Sequence, residues 1–348
     1  MMRRSFWFIV VAIPLLLAAG EAAYWRISAE RLRTGYQAWV AAQDSRGWDV
    51  GSGPISIGGW PGEAAITVPN LTLRHAGPTV PGDVNVASAG VRLAVSLFSP
   101  SSLHLSLMGP MHVRAGELPD VIVTGDETSA SVPLRQTGPL SVELHGRGLR
   151  LEAATGAWHV TVGLLNAKAE IAADAPADQS QPAATFVLSS EAIALPAGVK
   201  WPLGSNISSL VVEGRVNGAL PNSGDITRWA EAWRDGGGSL EITHLTMGWG
   251  PLGLTSSATL ALDDQLQPMG SGNGRIVGYA ETLDRLAAAG MLSKSAATAA
   301  KAVLSLMAGT SDNDEPSSVD VPLTLQYRTL SIRQIPLVRL PEVDWPAR

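Results

Sequence analysis

Few residues here have both the type and the spacing to do chemistry. His104 and His112 flank Met108-Gly109. A hairpin turn centred on Met108 would pair them across two strands, and two imidazoles that close begin a zinc or copper site. Such a site needs three or four converging ligands, and the neighbouring sequence offers no third. The pair therefore reads as two histidines facing each other on the polar side of a sheet, and no metal is expected. His145, His159 and His244 fall on the polar phase of strands or near strand ends, and His75 reads as a turn residue. None has the His-x-x-x-His spacing of a helical metal site.

Other patterns fail on geometry. Asp312-Asn313-Asp314-Glu315 looks like the start of a calcium loop. Counting from Asp312 puts Ser317 where the loop needs Gly and Leu323 where it needs Glu. Gly270-Ser271-Gly272-Asn273-Gly274 precedes the strand-like Arg275-Ile276-Val277 and opens no helix, so it is not a phosphate cradle. No Gly-x-Ser-x-Gly, Ser-x-x-Lys or His-Glu-x-x-His occurs. Cysteine is absent, which excludes thiol nucleophiles, thiolate ligands and disulfides. The expectation is a protein that is not an enzyme and carries no cofactor. Lys and Arg number 25 against 31 Asp and Glu, a net charge of −6, so nucleic acid is not an expected partner.

Eleven tryptophans stand against four Phe and four Tyr. Trp48, Trp60, Trp201, Trp249 and Trp345 adjoin Gly or Pro. They read either as indoles packed over tight turns or as ring faces for a membrane or a hydrophobic ligand.

The elements that position these residues begin with an apolar run. Arg3 and Arg4 precede a stretch from residue 6 to 19 that includes Phe6, Trp7, Phe8, Ile9, Val10, Leu15, Leu16 and Leu17. It is either a secretory signal or an uncleaved signal anchor. The 18 residues from 6 to 23 just suffice for a span. Tyr24 and Trp25 follow at once, as an aromatic belt at the lipid headgroups would, and this favours the anchor. Arg26, Arg31 and Arg33 nearly balance the leading arginines, so export is expected from the signal-like start rather than from loop charge. Trp25, Ala29, Leu32, Tyr36 and Trp39 recur at helical spacing, and an amphipathic helix is predicted over 24–46.

From residue 47 the texture changes. Val91-Arg92-Leu93-Ala94-Val95-Ser96-Leu97, Leu103-His104-Leu105-Ser106-Leu107, Leu140-Ser141-Val142-Glu143-Leu144 and Trp158-His159-Val160-Thr161-Val162 alternate strictly. That is the signature of antiparallel strands with one face against a core. Helical spacing returns at 225–234 and at 281–307, the latter split near Gly290 with Ser293 or Ser295 as cap. Hydrophobic residues make up 45% and charged residues 16%, which excludes a disordered chain. The fold class expected is mainly β (α+β), a long curved antiparallel sheet with an N-terminal anchor helix and a few short helices packed on it. The divisions expected are an anchor over 1–23, a helix over 24–46, a β-rich domain over 47–342 and a tail over 343–348. A break in the sheet is expected near 172–183, where Ala, Asp, Pro, Gln and Ser dominate.

The junction of helix and sheet carries a resemblance. Arg46-Gly47-Trp48, then Gly53-Pro54-Ile55-Ser56-Ile57-Gly58-Gly59-Trp60-Pro61, and later Trp249-Gly250-Pro251-Leu252 and Val321-Pro322-Leu323, resemble an uncharacterised bacterial envelope family, domain of unknown function 2125. The likeness spans about 24–342, with Trp60 standing where the family usually carries Phe. The resemblance implies an N-terminally anchored protein facing the periplasm, found mainly in alphaproteobacteria, and supplies no functional residues. The functional expectation is a non-catalytic protein of the inner membrane, single-pass, with its bulk in the periplasm. It would bind or pass lipid or another hydrophobic ligand in an apolar groove of the sheet. The alternative is an envelope scaffold that binds a protein partner.

Overall fold

Alternation along the chain becomes one antiparallel meander. In a computed structural model, residues 2–75, 83–116, 119–134, 139–172, 182–220, 226–308, 318–332 and 335–345 are described, with side chains described from Ala18 on and not at 335–338. A single helix, α1 (Met2–Asp44), covers both the expected anchor and the amphipathic segment. The strands β1 (Trp48–Gly51), β2 (Ser56–Gly58), β3 (Glu63–His75), β4 (Val84–Ser96), β5 (Ser102–Leu107) and β6 (Met111–Ala115) follow. Next come β7 (Val121–Thr124), β8 (Glu127–Pro133), β9 (Leu140–Ala153), β10 (His159–Ile171), β11 (Ala184–Ala194) and β12 (Asn206–Asn217). After α2 (Ile226–Asp235) lie β13 (Ser239–Trp249), β14 (Leu252–Leu262) and β15 (Pro268–Val277). The helices α3 (Tyr279–Ala288) and α4 (Lys294–Ala308) precede β16 (Ser318–Gln326), β17 (Thr329–Ile332) and β18 (Ile335–Arg339). All strands join one sheet.

Several of these strands are halves. β1 and β2 lie end to end along β3, β5 and β6 along β4, and β7 and β8 along β9. The hairpin expected at Met108 is therefore an interruption in one long strand. His104 pairs with Ala94 and His112 with Ala87 of the same neighbour, which sets the two histidines roughly 25 Å apart. They do not face each other. His75 also departs from expectation. It closes β3, buried at 4% exposure, with its ring 4.9 Å from that of Trp48. The stretch Gly270–Gly274 lies inside β15 rather than before a strand. The sheet runs through the expected break, because β10 and β11 pair from Thr161↔Ala194 to Ile171↔Ala184.

The interruptions fall on one line. Asn70 (φ 49°), Gly109 (φ 81°), Gly148 (φ 58°) and Ala192 (φ 54°) take left-handed backbone, a conformation that Gly reaches without steric cost. Asn70, Gly148, Gly163, Ala192 and Ser208 are passed over by ladders that stay paired on both sides. Register links these positions from strand to strand, as in Gly148 opposite Gly163 and Gly163 opposite Ala192. The result is a crease of unpaired positions that crosses the sheet from β3 to β12 without a change of register until β12 meets β13, where the ladder shifts between Ile207 and Ser209. Across it the side-chain alternation shifts by one. In β9 the apolar positions are Leu140, Val142 and Leu144 before the crease and Leu149, Leu151 and Ala153 after it. One face thus remains apolar along the whole strand.

Among the described residues, helices bury apolar clusters under α1 and under α3–α4, and the short α2 packs on β14. Ala29 and Tyr36 of α1 are buried at 0% and 8% exposure. Tyr36 packs with Ile66, Val68 and Leu93, joined by Leu32 and Val40. The buried face of α1 thus runs through position 40, and Trp39 stays 41% exposed. At the other end Tyr279, Leu304 and Met307 cover Val319, Val321 and Leu323. Ser293 Oγ accepts from Ala296 N at 3.1 Å and caps α4.

Several tryptophans act as staples. Trp201 Nε1 donates to Pro196 O at 3.0 Å, Trp233 Nε1 to Asn217 O at 3.0 Å and Trp249 Nε1 to Gly204 O at 2.8 Å. Trp345 Nε1 donates to Leu266 O at 3.0 Å, and Gln267 exchanges two hydrogen bonds with the backbone of Val343. The described part of the expected tail is thereby strapped to the β14–β15 turn. Each bond ties an indole to a backbone carbonyl of a loop or strand end.

Candidate functional site

Three lanes of apolar side chains cross the middle of the sheet. Register carries one lane through Leu144, Ala167, Leu188, Val212 and Leu245. A second passes through Val142, Ala169, Phe186, Gly214 and Ile242, and a third through Leu140, Ile171, Ala184, Val216 and Leu240. Lanes lie about 7 Å apart along the strands, and each spans about 19 Å from β9 to β13. Gly214 leaves room for the ring of Phe186, since a Cβ there would lie 2.6 Å from Phe186 Cζ.

Among the described residues, no helix packs closely over this region. The helices pack on β1, β3, β14 and β16, and both buried apolar clusters lie at those ends. Leu144 is 37% exposed and Ile171 39%, and the other side chains of the lanes are half-buried, Gly214 excepted. The whole chain exposes 21410 Å², where a compact monomer of 36.4 kDa would expose about 13,500 Å². A long helix and a sheet of one layer both add to such an excess.

The opposite face is polar and held by cross-strand ion pairs. Arg215 grips Glu241 through two 2.8 Å bonds, and Arg275 grips Asp320 through two 2.9 Å bonds. Those hydrogen bonds, with the charge of each guanidinium, hold both carboxyls below the usual carboxylate range. Two open depressions lie on this face. One of about 410 Å³ is lined by His104, Ser131, Glu143, His145, Asn166 and Lys168 among others, and one of about 610 Å³ by residues including Glu241, Thr243 and Asn273. His145 Nδ1 and Asn166 Oδ1 are 2.7 Å apart. Among the described residues no three His, Asp or Glu side chains converge as metal ligands. Both depressions thus sit opposite the face on which an apolar groove was expected.

Of the expected membrane residues, Phe6, Trp7, Phe8, Ile9, Val10, Leu15, Leu16 and Leu17 lie in α1 outside the residues whose side chains are described. Among the described residues, no helix is long and apolar enough to cross a membrane. Tyr24 is 45% exposed. Trp25 is half-buried and donates Nε1–H to Gly58 O at 3.3 Å, which fixes the helix to the end of β2. β11 and β12 fall within the β-rich domain expected over 47–342, but neither strand was singled out. Their signal lies in Ala184-x-Phe186-x-Leu188 and Leu210-x-Val212, runs too short to stand out beside the crease.

A family model described as "uncharacterized protein conserved in bacteria", domain of unknown function 2125, matches residues 25–341. No curated protein and no solved structure matches the chain.

Proposed function

The chain belongs to this bacterial family, domain of unknown function 2125, and from that premise we propose that it is a non-catalytic envelope protein that holds or passes acyl chains on the apolar lanes of its sheet. The observation that carries the reading is the uncovered stretch between two helix-covered ends. Apolar surface left in water costs about 25 cal/mol per Å², and contiguous apolar patches beyond a few hundred Å² mark interaction sites. Aliphatic lanes without polar groups suit hydrocarbon, which asks for contact area and no hydrogen bonds. Phe186 supplies the one ring in the three lanes.

The apolar run at 6–19 gives the second half of the proposal, an anchor in the inner membrane with the sheet on the periplasmic side. α1 passes from Trp25, bonded beside Gly58, to Asp44. The chain then enters β1, whose Trp48 pairs with His75 at the far end of β3. Helix and β3 therefore run in the same sense, so strands begin at the end where the anchor leaves the sheet. A chain drawn from the bilayer would meet the lanes end-on from that side.

Photo-crosslinking in intact cells tests this. p-Benzoylphenylalanine replaces Leu188 on the lanes or Lys168 on the polar face of the full chain. Acyl-lipid adducts at Leu188 and none at Lys168 are expected, read by mass spectrometry after extraction. Absence of lipid adducts at Leu188 overturns the reading, and a single protein adduct there would replace it with a scaffold role.

A further inference from the structure

Two charge-free strand tips project beside the root of α1. Gly59-Trp60-Pro61-Gly62 links β2 to β3, and Leu97-Phe98-Ser99-Pro100-Ser101 links β4 to β5. Leu97 N donates to Gly62 O at 3.1 Å, and a Cβ on Gly62 would lie 3.9 Å from the Phe98 ring, so the tips stand side by side. Trp25 binds Gly58 O one residue before the first tip, so α1 leaves the sheet there. A third connection joins them, because Leu134 N donates to Ser101 O at 2.9 Å.

These positions carry large apolar side chains that stay exposed. Trp60 is 56% exposed, Phe98 85% and Leu134 48%. On the helix root Tyr24 is 45% and Ile27 52% exposed. Trp60 is thus unlike Trp201, Trp233, Trp249 and Trp345, whose indoles bind backbone carbonyls. Tight turns at such a place ordinarily carry polar residues. Two aromatic tips without charge, at the level where a helix with an apolar run departs, have the composition of a bilayer interface.

We propose that Trp60 and Phe98, with Tyr24, Ile27 and Leu134, form a seat that rests in the headgroup region of a phospholipid bilayer. The inference rests on the anchor reading above. It adds that the sheet is held against the membrane at a fixed height and orientation, with its strand ends toward the lipid. A rigid tripod of helix root and two tips does this, where a helix alone would leave the body free to tilt. Burial of the rings would reach about 5–10 Å into the interface.

Absence of cysteine makes the test direct. Single substitutions Trp60→Cys, Phe98→Cys and, as a control at the opposite strand ends, Thr155→Cys are labelled with an environment-sensitive nitrobenzoxadiazole dye. The full chain is reconstituted in phosphatidylethanolamine–phosphatidylglycerol vesicles. Labels at 60 and 98 are expected to be quenched about twofold by lipids with a headgroup nitroxide, and the label at 155 to be unaffected. Carbonate extraction in parallel reports the anchor. A chain that resists extraction while labels at 60 and 98 stay unquenched overturns the seat and leaves the anchor standing. A chain that extraction removes overturns both. Because 60 and 98 lie on separate turns, misfolding of one variant leaves the other to decide.

Discussion

The ends of the sheet and its middle are built from the same strands and hold together differently. At the α1 end, Ile66 and Val68 are fully buried under a helix. At the α3–α4 end, Val319 and Val321 are nearly so. Between them, Leu188 and Val212 pair across their strands and stay half-buried. The apolar pattern of the sequence is the same in all three places. What differs is whether a helix follows close enough in the chain to fold back. The middle strands β9–β12 are joined by connections that hold no helix among the described residues. An apolar alternation therefore specifies a face, and leaves open what will meet that face.

The comparison is broken or sharpened most directly by paired truncations. Ile66→Ala removes fully packed volume and is expected to cost about 2–5 kcal/mol. Leu188→Ala is expected to cost about 0.5 kcal/mol, as for an exposed position. Urea unfolding followed by tryptophan emission measures both, and equal losses would mean that the middle is as well covered as the ends. Trp233→Phe keeps the ring beside Gly238 and deletes the bond to Asn217 O, a loss of about 1 kcal/mol. Ser293→Ala uncaps α4 and is expected to cost between about 0.5 and 1 kcal/mol, read as earlier loss of helical signal at the α3–α4 end.

The smallest effect concerns pH. Glu241 and Asp320 have carboxyls held below their ordinary range by Arg215 and Arg275. Their contribution is complete above the unfolded carboxylate value of about 4 and is lost as pH falls through the lower folded value. Both pairs are solvent-exposed, so the contribution is small. Glu241→Gln should lower the melting temperature slightly at pH 7 and leave it unchanged at pH 2. A difference that persists at pH 2 would place its cause outside the ion pair.

Much of the fold was legible because periodicity is a local property. Both late helices, the Ser293 cap and most strand cores could be read from spacing alone. The crease was not legible for an equally local reason. An unpaired residue in left-handed backbone shifts the alternation by one and is often Gly, and Gly also marks a turn. Met108-Gly109-Pro110 carries both marks, so one long strand read as a hairpin and His104 was brought opposite His112. His75 read as a turn residue because the strand behind it is interrupted at Pro69-Asn70. The candidate site was half legible. Apolar faces could be seen in β9 and β10, but their lack of cover is a fact about distant helices. Which tryptophans would be stapled depended on carbonyls up to 79 positions away, as for Trp345 and Leu266.

The crease also makes the strand arms behave like a reading frame. Removal of a single residue from the arm between Gly148 and Ala153 would send Leu151 toward water and Glu152 toward the lanes, whereas the same deletion in the loop after Ala153 would leave both in place. Single-residue deletions scanned through β9 should therefore be tolerated at the loops and rejected within the arms, an inheritance of phase rather than of composition.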